Sequence, residues 1–533
     1  MKTFAGKAAA SADKVRGGYY TPAPVARFLA RWVRQAGPRI VEPSCGDGRI
    51  LRELAALSDS VRGVELVAAE AAKAREFAPV DAGNLFTWLA DCDTDTGRWD
   101  GWDGVAGNPP YIRFGNWPTE QREPALELMR REGLRPSKLT NAWVPFVVAS
   151  AGLVRDGGRV GLVLPAELLQ VGYAAPLREF LLARFREITL VTFERLVFDG
   201  ILQEVVLFCG VAGAGPARIR TVQLADAGQL EAAELAADDR PFQSALLHEN
   251  EKWTKYFLDA KAIALLRTLK GSDTMTRLGS LAEVDVGIVT GRNSFFTFTD
   301  GQARDLALLP HCVPLVSRSS QLCGLVYDTD CRTSDLATGH RTWLLDAPSD
   351  PTDPALLAHI DAGVAAGVDR GYKCSIRKPW WTTPSLWIPN LFMLRQIHLA
   401  PRLAVNAAGA TSTDTVHRVR LAADVDPAAL AAVFHNSATF AFAEIMGRSY
   451  GGGILELEPR EAEQLPIPSP ARGGAELAAD VDLLLKANEI EKALDLVDRR
   501  VLIDGLGWSP DVVAQCRAAW VALRDRRTRR GSR

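Results

Sequence analysis

The stretch Arg39-Ile-Val-Glu-Pro-Ser-Cys-Gly-Asp-Gly-Arg-Ile-Leu-Arg-Glu-Leu54 decides the fold class. It predicts a short strand, a turn that contains Gly46 and Gly48, and an amphipathic helix. Glycines in such a turn let the backbone approach a ligand at the N-terminus of the helix. The next predicted strand ends at Glu65, about twenty residues further on, where a doubly wound nucleotide-binding fold places an acid that binds a ribose hydroxyl.

The alternation of strands and helices continues along the first half of the chain. Thr21 and Pro22 predict the start of a helix, as its N-cap and first residue. Further strands are predicted before Asn108 and over 160–165, 188–193 and 203–211, with a helix over 174–186. This alternation predicts an α/β fold with a mainly parallel sheet and helices on both faces. Ligands bind such folds at the carboxyl ends of the strands, so four turns are expected to converge there: 43–48, 65, 84 and 108–111.

The residues Asn108-Pro109-Pro110-Tyr111 follow a short apolar strand signal and predict an active-site loop. The side-chain carbonyl of Asn108 can accept one N–H of a planar amine or amide. The prolines lack N–H groups and fix φ, so a main-chain carbonyl is left to accept the second N–H. Two acceptors on one NH₂ group draw it toward a tetrahedral, more nucleophilic geometry, and Tyr111 offers a stacking face. The alternative is a proline-rich turn after a strand, without a catalytic role.

The net charge of the protein is too small to favour binding of a polyanion over its whole surface. Lys plus Arg is 62 and Asp plus Glu is 64, for a net charge of −2, so any polyanion site must come from local clustering. The stretch 370–413 contains no acid and interleaves cations with aromatic residues. This texture is typical of a nucleic-acid contact surface. The alternative is a solvated edge beside a tryptophan-rich core.

Cysteine spacing and hydropathy exclude several other classes. The eight cysteines are scattered without a Cys-x-x-Cys pair, which disfavours a zinc site and a disulfide framework. No metal site is therefore predicted. No apolar run approaches the ~18–20 residues of a membrane span. We expect a protein of the reducing cytoplasm that does not bind membranes.

The texture of the sequence changes after about residue 245, which predicts three segments. With 533 residues, a prior of about 100–200 residues per domain predicts two to four domains. We assign 1–245 to the α/β domain, 246–470 to a second domain of strand fragments, loops and aromatics, and 471–533 to a helical segment. A single amphipathic helix is predicted over 475–503. The basic end, from Arg524 onward, is interpreted as a frayed surface tail.

In this combination of motifs the chain resembles the TaqI-like family of DNA adenine methyltransferases over essentially its whole length. The resemblance implies a Rossmann-like class I methyltransferase domain with a mixed, mainly parallel sheet. An α+β target-recognition domain and C-terminal helices would follow it. It also implies transfer of a methyl group from S-adenosylmethionine to the 6-amino group of an adenine that is flipped out of DNA.

The resemblance further implies which residues bind the cofactor. Tyr20-Thr21-Pro22 is similar to the family's first cofactor motif, which holds the methionine carboxylate. Asn84 departs from the family, which usually has an acid there to accept from the amino group of the cofactor adenine. The residues assigned to cofactor binding are Tyr20, Thr21, Pro22, Glu42, Pro43, Ser44, Cys45, Gly46, Gly48, Glu65, Asn84 and Leu85.

Catalytic and DNA-binding residues are carried over in the same way. Asn108, Pro109, Pro110 and Tyr111 match the catalytic loop, and Phe198 falls where the family keeps a second aromatic that packs on the extruded adenine. Looser similarity to the recognition domain covers 283–296, 377–381 and 436–468. The DNA-binding candidates are Arg292, Arg377, Lys378, Trp380, Trp381, Arg448 and Tyr450.

The expected partner is double-stranded DNA, with the protein acting as a monomer and with a separate restriction endonuclease encoded nearby. The same loop also serves enzymes that methylate an RNA base or a protein glutamine amide, and this is the main alternative. The long C-terminal region, the order of the motifs and Phe198 weigh against it. A non-catalytic DNA-reading subunit is less favoured because the loop is intact. A fused nuclease is not expected, because few residues precede Tyr20.

Overall fold

The chain divides into two compact units. The computed structural model describes residues 20–92, 101–195, 197–198, 204–232, 241–245, 251–450 and 452–529. The first unit ends at Ala260 and the second begins at Lys261. Two hydrogen bonds explain why the first unit extends beyond 245: Thr221 Oγ1 donates to the carbonyl of Tyr256, and Gln243 Nε2 donates to that of Leu258.

The first unit is built on one nine-stranded sheet with the order β3-β2-β1-β4-β5-β7-β6-β8-β9. Its strands are β1 (Ile40–Glu42), β2 (Val61–Glu65), β3 (Val80–Ala82), β4 (Trp102–Gly107), β5 (Val154–Pro165), β6 (Phe185–Phe193), β7 (Val205–Ala212), β8 (Arg218–Leu224) and β9 (Gln243–Ser244). The neighbouring strands from β3 to β5 are parallel, whereas β7 runs antiparallel to both β5 and β6. The prediction of a mixed, mainly parallel sheet in a class I methyltransferase fold is confirmed.

Helices follow most of the strands, as predicted. They are α1 (Ala23–Arg34), α2 (Arg49–Ala55), α3 (Ala68–Ala74), α4 (Leu85–Cys92), α5 (Thr119–Arg131), α6 (Trp143–Leu153), α7 (Glu167–Gln170) and α8 (Ala175–Arg184). Short 3-10 turns lie at Phe114–Asn116, Gly172–Ala174, Ala227–Glu231 and Trp253–Phe257. The apolar face of α1 packs into the core through Val25, Phe28 and Leu29, which are fully or almost fully buried.

The start of α1 differs from the prediction. The N-cap is Pro22 rather than Thr21, and the helix begins at Ala23. The hydroxyl of Thr21 instead accepts a hydrogen bond from Asn108 Nδ2 at 3.3 Å. Among the residues that the structure describes, no side chain caps the first turn of α1.

The second unit contains four small sheets. Their orders are β11-β20-β16-β18-β14, β12-β15-β13-β19, β17-β22-β21 and β10-β23. The strands are β10 (Met275–Arg277), β11 (Ala282–Asp285), β12 (Thr297–Phe298), β13 (Cys312–Val316), β14 (Val326–Tyr327), β15 (Trp343–Leu345), β16 (Leu391–Leu394), β17 (Gln396–Ile397), β18 (Leu403–Asn406), β19 (Thr411–Ser412), β20 (Val416–Leu421), β21 (Arg448–Tyr450), β22 (Ile454–Glu456) and β23 (Pro466–Pro468).

Helices lie between these strands and dominate the C-terminal part of the unit. They are α9 (Ala260–Lys270), α10 (Asn293–Phe296), α11 (Asp300–Asp305), α12 (Thr329–Ala337), α13 (Pro354–Ala365), α14 (Tyr372–Ser375), α15 (Pro427–Phe434), α16 (Ser437–Met446), α17 (Pro459–Glu463), α18 (Ala475–Lys486), α19 (Ile490–Val497) and α20 (Pro510–Arg529). Short 3-10 turns lie at Leu278–Ser280, Leu309–His311, Ser319–Gln321 and Pro470–Arg472, and a π-helical turn covers Asp498–Ile503. The α+β second unit with C-terminal helices is as predicted.

The prediction of one continuous helix over 475–503 is wrong. Helix α18 ends at Lys486, and Asn488 adopts a left-handed conformation with φ of 60°. This conformation stops a right-handed helix, and asparagine tolerates it better than most residues. A separate helix, α19, then begins at Ile490.

The interpretation of the basic end as a frayed surface tail is also wrong within the described residues. Arg527, on α20, is 1% exposed, and its Nη2 donates to Glu444 Oε1 at 2.7 Å. A second bond joins its Nε to the other oxygen of the same carboxylate at 3.0 Å. This bidentate pair fixes α20 against α16. The last four residues, 530–533, lie outside the described part of the chain.

Within the residues that the structure describes, no single helix is long and apolar enough to cross a membrane, although α15 and α16 together are long and apolar enough and are bent by 76° relative to each other. The same residues include no group of three or more His, Cys, Asp or Glu side chains placed to hold a metal ion.

Candidate active site

The carboxyl ends of β1, β2, β3 and β4 open onto a cavity of about 630 Å³. As predicted, the four turns at 43–48, 65, 84 and 108–111 all contribute to its wall. The sequence-predicted residues that line it are Tyr20, Thr21, Glu42, Pro43, Ser44, Cys45, Gly46, Glu65, Asn84, Leu85, Asn108 and Pro110. Pro22, Gly48, Pro109, Tyr111 and Phe198 are not among the lining residues.

The glycine turn after β1 has the left-handed backbone that only glycine adopts readily. Gly46 and Gly48 both have positive φ, at 53° and 88°. A Cβ on Gly48 would lie 2.9 Å from the Cα of Ala74, so a side chain there would push α3 away from α2. The backbone N–H of Gly46 donates to Glu65 Oε2 at 2.9 Å. This bond ties the glycine turn to the end of β2.

Glu65 is held with a defined orientation at the edge of the cavity. Its other oxygen, Oε1, accepts from the N–H of Val67 at 2.9 Å. Burial raises the pKa of the carboxyl group, and the two backbone donors partly oppose that rise. An oriented carboxylate with free lone pairs fits the recognition of two neighbouring hydroxyl groups.

Glu42 lies deeper, at the end of β1. It is 1% exposed, and its Oε2 has no hydrogen-bond partner among the described residues. Burial raises the pKa of Glu42 well above its ordinary value, and the nearby charge of Glu65 raises it further. An unsatisfied buried carboxyl beside a cavity has a direct use when a ligand brings a donor or a positive charge.

Asn84 occupies the position where the TaqI-like family usually has an acid. Its Oδ1 accepts from the N–H of Phe86 at 2.9 Å and so caps helix α4. Its Nδ2 donates to the carbonyl of Gln121 at 3.2 Å. One carbonyl lone pair is therefore committed to the helix, and the amide joins α4 to α5.

Asn108 connects the predicted catalytic loop to both cofactor motifs. Its Nδ2 donates to Thr21 Oγ1, and its main-chain carbonyl accepts from Ser44 Oγ at 3.4 Å. Tyr111 is held from the other side, because its hydroxyl donates to the carbonyl of Val163 on β5 at 3.0 Å. These contacts fix both ends of the loop relative to the sheet.

Phe198 and Tyr111 share one apolar environment. Phe198 is buried within the same apolar cluster against which the half-buried ring of Tyr111 packs. Of the segment from 196 to 203 the structure describes only residues 197–198. The second predicted aromatic therefore lies in the same region of the unit as the loop that it was predicted to serve.

The insert after Tyr111 supplies cavity residues that the sequence did not predict. Ile112, Asn116, Trp117, Pro118 and Gln121 line the cavity, as does Phe146 from α6. The sequence predicted the helix of this insert but contained no motif that placed it against the cavity. Asp47, Arg49, Ile50, Leu66, Val67, Glu70, Gly83 and Phe86 complete the lining.

A polar cluster beside the loop was also missed. Asn141 Nδ2 donates to the hydroxyl of Tyr173 at 3.0 Å and to Glu167 Oε2 at 3.2 Å, and Tyr173 donates to the same carboxylate. Burial and the charge of Glu167 raise the pKa of Tyr173. The signal that could have found it is Glu167, an acid placed directly after the end of β5.

The predicted DNA-binding residues fall into two groups within the second unit. Arg292 and Lys378 are exposed and Tyr450 is 44% exposed. The others are engaged inside the unit. Arg377 donates to main-chain carbonyls, Trp381 donates to that of Pro348, Trp380 packs on Phe295, and Arg448 pairs with Glu461.

Two family models match the chain. The model described as "Eco57I restriction-modification methylase" matches residues 58–198, and "Type II methyltransferase M.Eco57I, C-terminal domain" matches 250–502. Between them they cover most of the chain, including the catalytic loop and most of the second unit.

Known proteins agree with these matches. The chain is 21% identical over 466 residues to type II methyltransferase M.AccI of Acinetobacter calcoaceticus, with 83% of each chain covered. It is 23% identical over 491 residues to type II methyltransferase M.XamI of Xanthomonas campestris pv. amaranthicola, with 85% of each covered.

Among solved structures, the fold is similar to that in the cryoEM structure of the DrdV–DNA complex. The TM-score is 0.50 at 12% identity, over 88% of this chain and 57% of that one. The structure of a nuclease-deletion mutant of the Type ISP restriction-modification enzyme LlaGI also has a TM-score of 0.50 at 12% identity. The match covers 79% of this chain and 51% of that one. The chain belongs to the Eco57I-type restriction-modification methylases and is a DNA methyltransferase.

Proposed function

We propose that this methyltransferase uses S-adenosylmethionine to methylate the 6-amino group of an adenine in double-stranded DNA. The observation that carries the proposal is the position of Asn108, which lines the cavity and is hydrogen-bonded to Thr21 and Ser44 of the two cofactor motifs. A loop that accepts N–H bonds is thereby held beside a site fitted for a nucleoside.

The cavity fits the proposed cofactor. Its volume of about 630 Å³ lies within the range of about 300–1,000 Å³ that is usual for small-molecule sites. The glycine turn allows close backbone approach, and Glu65 is oriented to accept from ribose hydroxyl groups. Thr21 and Glu42 would meet the polar amino-acid end. When bound, S-adenosylmethionine supplies an electrophilic methyl group.

The residues of the loop would act by accepting and positioning. The side-chain carbonyl of Asn108 and the main-chain carbonyl of Pro109 would each accept one N–H of the target amino group. Both acceptors increase the electron density on its nitrogen, so no strong base is required. Tyr111 and Phe198 would hold the flipped base, whose extrusion from the duplex costs a few kcal/mol.

An amino target is favoured over a ring carbon by the chemistry of the lining. Methylation of a ring carbon of cytosine requires a thiolate nucleophile that adds to the ring. Cys45 is the one cysteine among the cavity-lining residues. Burial raises the pKa of its thiol, and Glu42 and Glu65 raise it further, so Cys45 stays protonated. Cys45 is therefore unsuited to that role.

The proposal is tested by methylating unmodified DNA with the purified protein and digesting it to nucleosides. Mass spectrometry should detect N6-methyladenine. N4-methylcytosine as the only product would leave the amino chemistry standing and replace the base. Transfer to RNA or to a glutamine peptide, with none to DNA, would overturn the proposal in favour of the alternative substrates. A companion nuclease and action as a monomer stay predictions.

A further inference from the structure

Two segments of the second unit combine into one surface. The loop 287–293 packs against the segment 370–378, and Arg377 Nη2 donates to the carbonyls of Val289 and Thr290 at 3.1 and 2.5 Å. Gly291 has φ of 85°, and a Cβ there would lie 2.8 Å from the Cβ of Lys373. The two segments are therefore in close contact and present their outward side chains together.

Large apolar side chains are exposed on this surface. Tyr372 is 75% exposed, Ile376 is 62% exposed and Val289 is 38% exposed. Tyr372 and Ile376 are four residues apart across the short helix α14, a spacing that places side chains on one side. A single exposed apolar residue needs no explanation, but three on one pair of packed segments indicate a contact surface.

Cations lie between these apolar residues. Arg292, Lys373 and Lys378 are exposed, and none of them has a carboxylate partner in the described part of the chain. Two other arginines of the unit are neutralised by acids, since Arg395 pairs with Glu456 and Arg448 with Glu461. The acid nearest in sequence to the segment is Asp369, which is only partly exposed. The positive charge of this surface is therefore available to a partner.

We propose that this basic–apolar patch, formed by Val289, Arg292, Tyr372, Lys373, Ile376 and Lys378, is a contact surface for double-stranded DNA. The inference rests on the proposed function. The three cations would contact phosphates, and Tyr372 and Ile376 would contact sugars and base edges in a groove. Unpaired cations favour a polyanion over a neutral protein surface.

The patch changes the role of residues predicted from sequence. Arg377 faces inward and ties the two segments together. Trp380 supports them by packing on Phe295, with the ring centroids 5.0 Å apart. These residues position the patch rather than contact DNA. Tyr372, Lys373 and Ile376 were not among the predicted DNA-binding residues, although they lie in the acid-free stretch.

The test compares two double variants of the full-length protein in DNA binding over a salt series. Lys373→Ala with Lys378→Ala should flatten the log–log salt dependence by up to about 0.9 per lost phosphate contact. Tyr372→Ala with Ile376→Ala should weaken binding about tenfold, the effect of losing roughly one good contact, and leave the slope unchanged. The probe is a short fluorescent duplex of mixed sequence.

Matched controls come from the same unit. Lys261 and Lys270 are exposed on α9, and Leu483 on α18 is 68% exposed. Their alanine variants should bind DNA like wild type. Binding of S-adenosylhomocysteine and the melting temperature should stay unchanged in all variants, because the patch side chains are exposed.

Each result decides the inference. Salt lines parallel to wild type, together with unchanged affinity of the apolar variant, overturn it. If the variants lose affinity equally for a duplex RNA, the partner of the patch is RNA rather than DNA. If wild type is a dimer and the variants are monomers, the partner is a second copy of the chain. Failure of the proposed function gives a different pattern, in which wild type forms no N6-methyladenine and the patch variants still lose DNA affinity.

Discussion

Replacing Asn108 with alanine tests the centre of the proposed chemistry. The variant loses one of the two acceptors for the target amino group. Removing one pre-positioned hydrogen-bond partner from a reacting centre typically lowers kcat by about 10²–10³. We expect a loss of at least that size, because the second acceptor alone leaves one N–H of the amino group unpaired.

The same substitution should have little effect elsewhere. The side chain of Asn108 makes a 3.3 Å hydrogen bond to Thr21, which is long for a bond of this type. Its loss should cost about 1 kcal/mol or less in stability or in cofactor affinity. Calorimetry with S-adenosylhomocysteine measures the affinity, and transfer of a tritiated methyl group to DNA measures turnover.

Asn116→Ala is the matched control, since Asn116 is an exposed amide on the wall of the same cavity. It should retain turnover within a few-fold of wild type. Turnover of Asn108→Ala within tenfold of wild type would refute the catalytic role. A parallel loss of cofactor binding and turnover would show instead that Asn108 maintains the cavity.

Three further predictions follow from the contacts and pKa shifts. Glu65→Ala should weaken S-adenosylhomocysteine binding by about 1–3 kcal/mol through lost charge-assisted hydrogen bonds. Glu70→Ala, on the same cavity wall, should not weaken it. Equal calorimetric affinities of the Glu65→Ala variant and wild type would place the ribose contact elsewhere. Because burial raises the pKa of Glu42, folding takes up a proton, and the free energy of unfolding should fall as pH rises above the ordinary value of 4.5. Glu42→Gln should flatten that dependence in urea titrations, and an unchanged pH profile would contradict it. Arg527→Ala should destabilise the protein by about 3–5 kcal/mol because it leaves Glu444 buried without its partner. Arg499→Ala, at an exposed ion pair, should cost at most about 1 kcal/mol. Similar urea midpoints for the two variants would refute this difference between the buried and the exposed pair.

The sequence predicts the turns after β1 and β4 and their convergence on one cavity because local rules determine them. A strand that runs into a glycine turn, and an Asn-Pro-Pro sequence after a strand, limit the backbone to few conformations. The sheet then brings those turns together through its parallel order. Hence Glu65 and Asn108 lie at the same edge although 43 residues separate them.

Side-chain direction in irregular segments is not determined by such rules. Arg377 and Lys378 are neighbours in a basic stretch, but Arg377 satisfies carbonyls of the loop 287–293 and Lys378 is exposed. Charge pattern alone could not separate them, because a buried arginine that pairs with main-chain carbonyls needs no acid nearby. The buried position of Arg527 could not be predicted for a different reason, because its carboxylate partner, Glu444, lies 83 residues away in the sequence.

Asn84 shows how a departure from a family motif is explained by a distant insert. A carboxylate at this position could accept from Phe86 and cap α4, but it could not donate to the carbonyl of Gln121. It would instead place a negative charge beside that oxygen. The amide satisfies both contacts at 2.9 and 3.2 Å, so asparagine suits a chain in which helix α5 of the insert closes the cavity wall. The cofactor adenine would then meet a neutral amide at this position, and its amino group would donate to the second lone pair of the Asn84 carbonyl, because the helix cap uses only one.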